Sequence, residues 1–280
     1  MREGAVRWLS PAGFSTMRWW EWGPADGTPV ICVHGLTRSG RDFDALAQGL
    51  AEAGRRVICP DLPGRGASDW LADAMLYQPP VYVTALSYLL ARIDGPVDWV
   101  GTSLGGICGM GIAAMPGHPI RRMVLNDVGA FIPREAMARI RDYMGSEPVF
   151  RDVPALEKHL RAVHAPFGRL SDAEWRHLAE TSARPAAGGV ALHYDPAIAA
   201  PIRATEAEAL DMQALWEKVR IPVLLIRGAE SDLLLPETAA SMAAEPHVTL
   251  AEIPGAGHAP ALMDPVQIAL VADFLGGGAP

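Results

Sequence analysis

In Pro96-Val97-Asp98-Trp99-Val100-Gly101-Thr102-Ser103-Leu104-Gly105, an apolar run leads into a serine flanked by glycines, and Leu104 to Met115 then has helical character. Strand, Gly-x-Ser-x-Gly and helix make a nucleophile elbow. A serine on so tight a turn is expected to hold a strained backbone conformation, with Gly101 and Gly105 leaving room for the chain to pass closely. Its hydroxyl then projects beyond the carboxyl end of the strand, where the following helix presents its positive N-terminus.

The partners of a serine nucleophile lie downstream in a telling order. Val223-Leu224-Leu225-Ile226-Arg227-Gly228 reads as a buried strand and empties into Ala229-Glu230-Ser231-Asp232. Strand-like Val248 to Ile253 is followed by Gly255-Ala256-Gly257-His258-Ala259-Pro260. Ser103, Asp232 and His258 each fall just past the C-terminal end of a predicted strand, where open α/β sheets place their sites. Upstream, Val30 to Val33 runs into the glycine turn His34-Gly35-Leu36-Thr37. On these segments the chain resembles the α/β-hydrolase family, whose triad runs Ser, Asp or Glu, His. Asp61-Leu62-Pro63-Gly64-Arg65-Gly66-Ala67-Ser68 is similar to the family's turn after its next strand. The resemblance implies an α/β fold, a mostly parallel eight-stranded sheet flanked by helices.

Walking outward, Val6–Leu9 and Met17–Trp22 read as an opening strand pair, and Trp19, Trp20 and Trp22 as packing within a twisted sheet. Strand Arg56–Cys59, helix 81–93, strand Val97–Val100, helix 104–115 and strand Arg122–Leu125 alternate as βαβ units do. From 131 to 219 the rhythm breaks. No strand is predicted there, only helices over 134–144, 155–163, 172–181 and 206–218, the third opened by a Ser171/Glu174 capping box. Helices 237–244 and 265–274 and the glycine run 276–278 close the chain. The expected organisation is a core of 1–130 and 220–280 and an all-helical segment, 131–219, inserted after the sixth strand. By resemblance this segment is a cap, with Met137, Tyr143, Trp175 and Trp216 as candidates for a pocket lining.

Composition agrees. A chain of 280 residues, half of them hydrophobic, holds material for one large core. No uncharged apolar run of about 18 residues suggests a membrane span, and Met1-Arg2-Glu3-Gly4 has no apolar stretch behind it to suggest a signal peptide. Three cysteines, Cys32, Cys59 and Cys108, read as buried free thiols, so a cytoplasmic location is expected. The net charge of −8 argues against nucleic acid or anionic lipid as main partner. Neither a cofactor nor a metal is expected, since no histidine shows ligand spacing such as HExxH. The expected partner is a small-molecule substrate, and oligomeric state stays open.

The chemistry implied is covalent hydrolysis. Ser103 attacks a carbonyl, His258 takes its proton, and an acid orients the imidazole. Asp232 is the expected acid, matching the family's usual spacing after this strand, with Glu230 and Asp127 as alternatives. By resemblance the backbone N–H groups of Leu36 and Leu104 form the oxyanion hole, and His34 is structural. Such a site suits a carboxylic ester of a small, largely apolar substrate, or a lactone. A C–C bond hydrolase acting on a vinylogous diketone is the runner-up. Leu36-Thr37-Arg38-Ser39 and Ala259 depart from the glycine-rich oxyanion segment and post-histidine aromatic of those enzymes. A non-enzymatic binding protein on this fold would lack nucleophile or histidine, and both are present here.

Overall fold

The inner parallel strands are short, rich in β-branched residues and largely buried, as strands sandwiched between helix layers must be. In the computed structural model, which describes residues 1–144 and 148–277, they form one eight-stranded sheet. The glycine run extends to Gly278, which lies outside the described residues.

The sheet comprises β1 (Arg2–Ser10), β2 (Gly13–Trp22), β3 (Pro29–Val33), β4 (Arg56–Pro60), β5 (Val97–Thr102) and β6 (Ile120–Asn126). Two later strands complete it, β11 (Val223–Gly228) and β12 (Val248–Ile253), in the order β1-β2-β4-β3-β5-β6-β11-β12. β1 pairs antiparallel with β2 and β2 antiparallel with β4, and every pairing from β4 onward is parallel. All six residues of β11 are buried, whereas edge strand β1 alternates towards its end.

Helices α1 (Asp44–Glu52) and α10 (Pro265–Gly276) cover one face through Leu46, Leu50, Val271 and Phe274. On the other, α2 (Pro79–Leu90) and α3 (Leu104–Ala113) pack through Leu86, Leu89, Cys108 and Ile112. Alternation along β2 sends Trp19 to the second layer and Trp20 and Trp22 to the first, the sheet packing expected of them. A further helix, α9 (Pro236–Ala243), links β11 to β12. Among the described residues no helix is long and apolar enough to cross a membrane. All three cysteines are buried and free, and burial pushes the Cys108 thiol up to about 12.

Residues 131–219 stand outside the large sheet, between β6 and β11, but they are not all-helical. Three of the four predicted helices are present, as α4 (Arg134–Tyr143), α5 (Val153–Val163) and α6 (Asp172–Ser182), the last with its capping box. The fourth is not. Over 206–218 the chain forms strand β10 (Leu210–Asp211), paired with β7 (Phe131–Ile132), and a single helical turn, α8 (Gln213–Trp216). Long-range pairing overrode local propensity here. The Met212 N–H also donates to Ala130 O, docking the end of the insertion onto its beginning.

A hairpin of β8 (Ala183–Ala186) and β9 (Gly189–Leu192) was likewise not expected. Its signal was Gly188-Gly189, both at positive φ, and a Cβ on Gly189 would lie 2.0 Å from Phe150 O. The short helix α7 (Ala200–Arg203) completes the segment.

Helix α3 approaches β3 so closely that only glycine fits between them. A Cβ on Gly105 would sit 1.9 Å from Val33 O, and one on Gly101 would sit 2.5 Å from Gly105. Gly105→Ala is therefore expected to cost more than about 4 kcal/mol in denaturant unfolding, because backbone must move. Gly95→Ala is the control: its φ is +80° and its surroundings are open, so the cost should be about 1–2 kcal/mol.

Candidate active site

Ser103 joins β5 to α3 with φ +51°, the left-handed region that non-glycine residues avoid. Tertiary bonds hold it there. Its N–H donates to Asn126 O on β6 at 3.0 Å, and its carbonyl accepts Gly106 N–H at 2.8 Å to start α3. Trp99 Nε1 donates to Gly105 O, and a Cβ on Gly109 would strike the same indole, so strand and helix are locked face to face.

The serine hydroxyl lies 3.0 Å from His258 Nε2. On the other side of the ring, His258 Nδ1 is 2.7 Å from Asp127 Oδ2. The acid in contact with the histidine is thus Asp127, not Asp232. Asp127 follows β6, is fully buried and has φ +55°, a conformation that Asp tolerates better than most residues. Its Oδ1 accepts Gly228 N–H at 2.8 Å and its Oδ2 also accepts the Ser231 hydroxyl at 2.6 Å. Asp232 points outward, 58% exposed, in an ion pair with Arg139 of α4. The Glu230 side chain takes no part either, though its N–H donates to Ala256 O and ties the β11 loop to the histidine loop. β6 and β11 are neighbours, so acids after either strand could reach the imidazole, and the side chain that turns inward settles which one does.

Leu104 opens α3, so its N–H is one of the first four with no acceptor inside the helix. Leu36 lies beside the elbow: a Cβ on Gly35 would be 3.8 Å from Ser103 Cβ. Both residues adjoin the elbow along the chain or through Gly35. Their loop is braced by buried groups that sequence reading left without a role. Arg65 Nε donates to Leu36 O at 2.9 Å, and its Nη1 donates to Pro63 O and to the Tyr82 hydroxyl. The guanidinium rests over the rings of Tyr82 and Tyr77, at 4.7 and 5.7 Å.

His34 is structural, as the resemblance implied. It accepts Leu62 N–H at Nε2 and has Gly35 O at 2.7 Å from Nδ1. Burial, reinforced by Arg65 and Arg38, lowers its pKa to about 3, so it is neutral.

Beside the elbow lies a cavity of about 30 Å³, lined among others by Gly35, Arg38, Thr102, Phe167, Ala259 and Met263, large enough for a bound water. Arg38, held by Asp42 through two bonds, lies 3.5 Å from His164, and His164 stacks on Phe167 at 4.5 Å. Burial, then Arg38, keeps the His164 pKa well below its ordinary value. The sequence offered Phe167 as a lining candidate but could not bring this group together, because its members come from separate elements.

The pocket candidates divide. Tyr143, at the end of α4, is 41% exposed, and Met137 packs against the core on the same helix. Trp175 is buried in a satellite core with Leu156, Leu160, Leu178 and Met263. Trp216 stacks on His247 at 5.9 Å. Because His247 precedes β12, Trp216 lies at the amino-terminal edge of the parallel strands, opposite the serine. Both tryptophans serve packing, since a large apolar side chain on a short helix finds its burial in the nearest core.

Comparison with known proteins agrees with this geometry. Residues 30–270 match the alpha/beta hydrolase family, and the chain belongs to it. It is 45% identical to a 3-hydroxybutyrate-oligomer hydrolase of Cupriavidus necator, over 99% of this chain and 98% of that one. It is 29% identical to a pimeloyl-[acyl-carrier protein] methyl ester esterase of Neisseria meningitidis, over 74% and 77%. The crystal structure of an alpha/beta hydrolase from Novosphingobium aromaticivorans superposes with a TM-score of 0.86 at 36% identity, over 98% of both chains. The protein is a hydrolase.

On p-nitrophenyl butyrate, Asp127→Asn is expected to lower kcat by about 10⁴-fold, whereas Asp232→Asn should cost less than tenfold. A larger loss at Asp232 would reverse the assignment. Stability should report His34 as well. An unfolded His34 titrates near 6.5 and the folded one near 3, so below pH 6.5 the unfolded chain takes up a proton that the fold refuses. The stability advantage of wild type over His34→Gln is expected to be full above pH 6.5 and to shrink as pH falls towards 3, measured by urea unfolding at each pH.

Proposed function

We propose that the protein is a serine esterase acting through Ser103, His258 and Asp127, and that its substrates are short oligoesters of 3-hydroxybutyrate. The observation that carries the mechanism is the unbroken chain of contacts from the Ser103 hydroxyl through His258 to buried Asp127. The substrate class rests on the relative from Cupriavidus necator, similar along the full length of both chains.

Ser103 Oγ attacks the ester carbonyl carbon as His258 Nε2 takes its proton, and Asp127 stabilises the imidazolium that forms. Charge developing on the carbonyl oxygen is met by the N–H groups of Leu36 and Leu104. Collapse of the tetrahedral adduct breaks the ester C–O bond, and the leaving alkoxide takes the proton from His258. Water then attacks the acyl-serine by the same route, releasing the acid and restoring the hydroxyl.

The segment 131–219 acts as the cap over the core of 1–130 and 220–280. Support comes from its bonds to the catalytic loops: Pro166 O accepts Gly257 N–H, Phe167 O accepts Ala261 N–H and His193 O accepts Gly66 N–H. Such a cover excludes water and shapes an apolar pocket.

The test is hydrolysis of the 3-hydroxybutyrate dimer and of p-nitrophenyl esters from acetate to decanoate. Ser103→Ala should lower kcat on the order of 10⁵- to 10⁶-fold, and a fluorophosphonate should label Ser103 alone. A folded protein that resists labelling, or a mutant that keeps its turnover, would remove the serine mechanism. Labelling without turnover of the dimer would remove the substrate class.

A further inference from the structure

Helix α4 turns one side towards the rest of the protein, with Ala136, Ile140 and Tyr143 along it and Arg139 at its edge. Ala136 is buried, and Met137 and Ile140 pack against the main core. Arg139 and Tyr143, four residues apart, share a side of the helix. Arg139 reaches the loop after β11, donating from Nη2 to Asp232 Oδ1 at 2.8 Å, with Nε 2.8 Å from Asp232 Oδ2. The neighbouring residue on that loop, Ser231, bonds the triad acid Asp127. A guanidinium fork is therefore held one residue from the catalytic network, already presenting the two-point geometry that suits a carboxylate.

The other cations at the site are committed. Arg38 is held by Asp42 within the buried wall, and Arg65 by backbone carbonyls and a phenol beneath the oxyanion loop. Arg139 differs. It is 45% exposed and its partner 58%, and an ion pair so solvated contributes little to stability. With both side chains about half exposed, breaking this pair costs the fold little.

We infer that Arg139 is a specificity residue for the free carboxylate of hydroxy-acid oligoesters, exchanging Asp232 for the acid terminus of the substrate. The inference rests on the oligoester reading above. An oligomer of 3-hydroxybutyrate carries a carboxylate at one end only, so its capture by Arg139 would set which ester bond lies over Ser103. Asp232 then acts as a placeholder that competes with substrate.

The experiment compares the 3-hydroxybutyrate dimer and trimer, each as free acid and as methyl ester, at low ionic strength. The enzymes are wild type, Arg139→Gln, Arg139→Lys and Asp232→Asn. Wild type is expected to prefer the acid, and Arg139→Gln to lower the acid-to-ester ratio of kcat/KM at least tenfold through KM for the acid. Arg139→Lys should retain part of the preference as a point charge, and Asp232→Asn should lower KM for the acid severalfold. Added salt should erode the wild-type preference. A ratio unmoved by Arg139→Gln, or acid and ester activities falling in parallel, would overturn the inference and leave Arg139 a prop for α4. If wild type cleaves neither form of the dimer while it hydrolyses p-nitrophenyl butyrate, the oligoester reading itself fails and takes the inference with it.

Discussion

The close approach of α3 to the sheet is the constraint on which the site depends. With no side chain at Gly105, the helix start passes within backbone contact of Val33. Gly101 on β5 leaves the same space on the strand side. The chain between them must reverse within a residue or two, which forces Ser103 into the left-handed region. Strain of that kind persists only where the surroundings over-determine it. Here the Asn126 carbonyl, the Trp99 indole and the first turn of α3 all do so.

The same neighbourhood assembles the other catalytic groups. Asn126 Nδ2 donates to Thr102 Oγ1 on the elbow and to Pro260 O, two residues past His258. Asp127, the next residue, accepts from Gly228 and Ser231 of the adjacent strand's loop as well as meeting the imidazole. One dipeptide at the end of β6 thus links the nucleophile, acid and histidine loops. Arg227 holds the far side, donating to Leu234 O and pairing with Glu252. A buried network this extensive favours a single geometry, with Asn126 Oδ1 its one acceptor left without a partner among the described residues.

The oxyanion side is built differently, from buried cations and neutral imidazole. Arg65 draws Leu36 O inward and His34 holds Leu62 N–H. Asp61, raised to about 6 by burial, accepts from Gly40 and Ala67 and shapes the turn that carries Arg65. These groups position the loop without touching the serine, and the inserted segment bonds the same turn, His193 O accepting Gly66 N–H.

The elbow, the histidine loop and the βαβ rhythm were legible in the chain because each is local. Glycine spacing, apolar runs and turn residues act over a few positions, and they placed Ser103, His258 and the strands of the large sheet. What local signals could not reach was decided by pairing across the fold. The β7–β10 pairing replaced a predicted helix because residues 130 and 212 meet only in three dimensions. Trp216 left the pocket for the opposite edge because core volume lay nearer there. Asp127 and Asp232 carry the same chemistry after neighbouring strands, and sequence spacing could not choose between them. The tertiary structure chose, since one carboxylate is enclosed with its donors at the end of β6 while the other turns to water and Arg139.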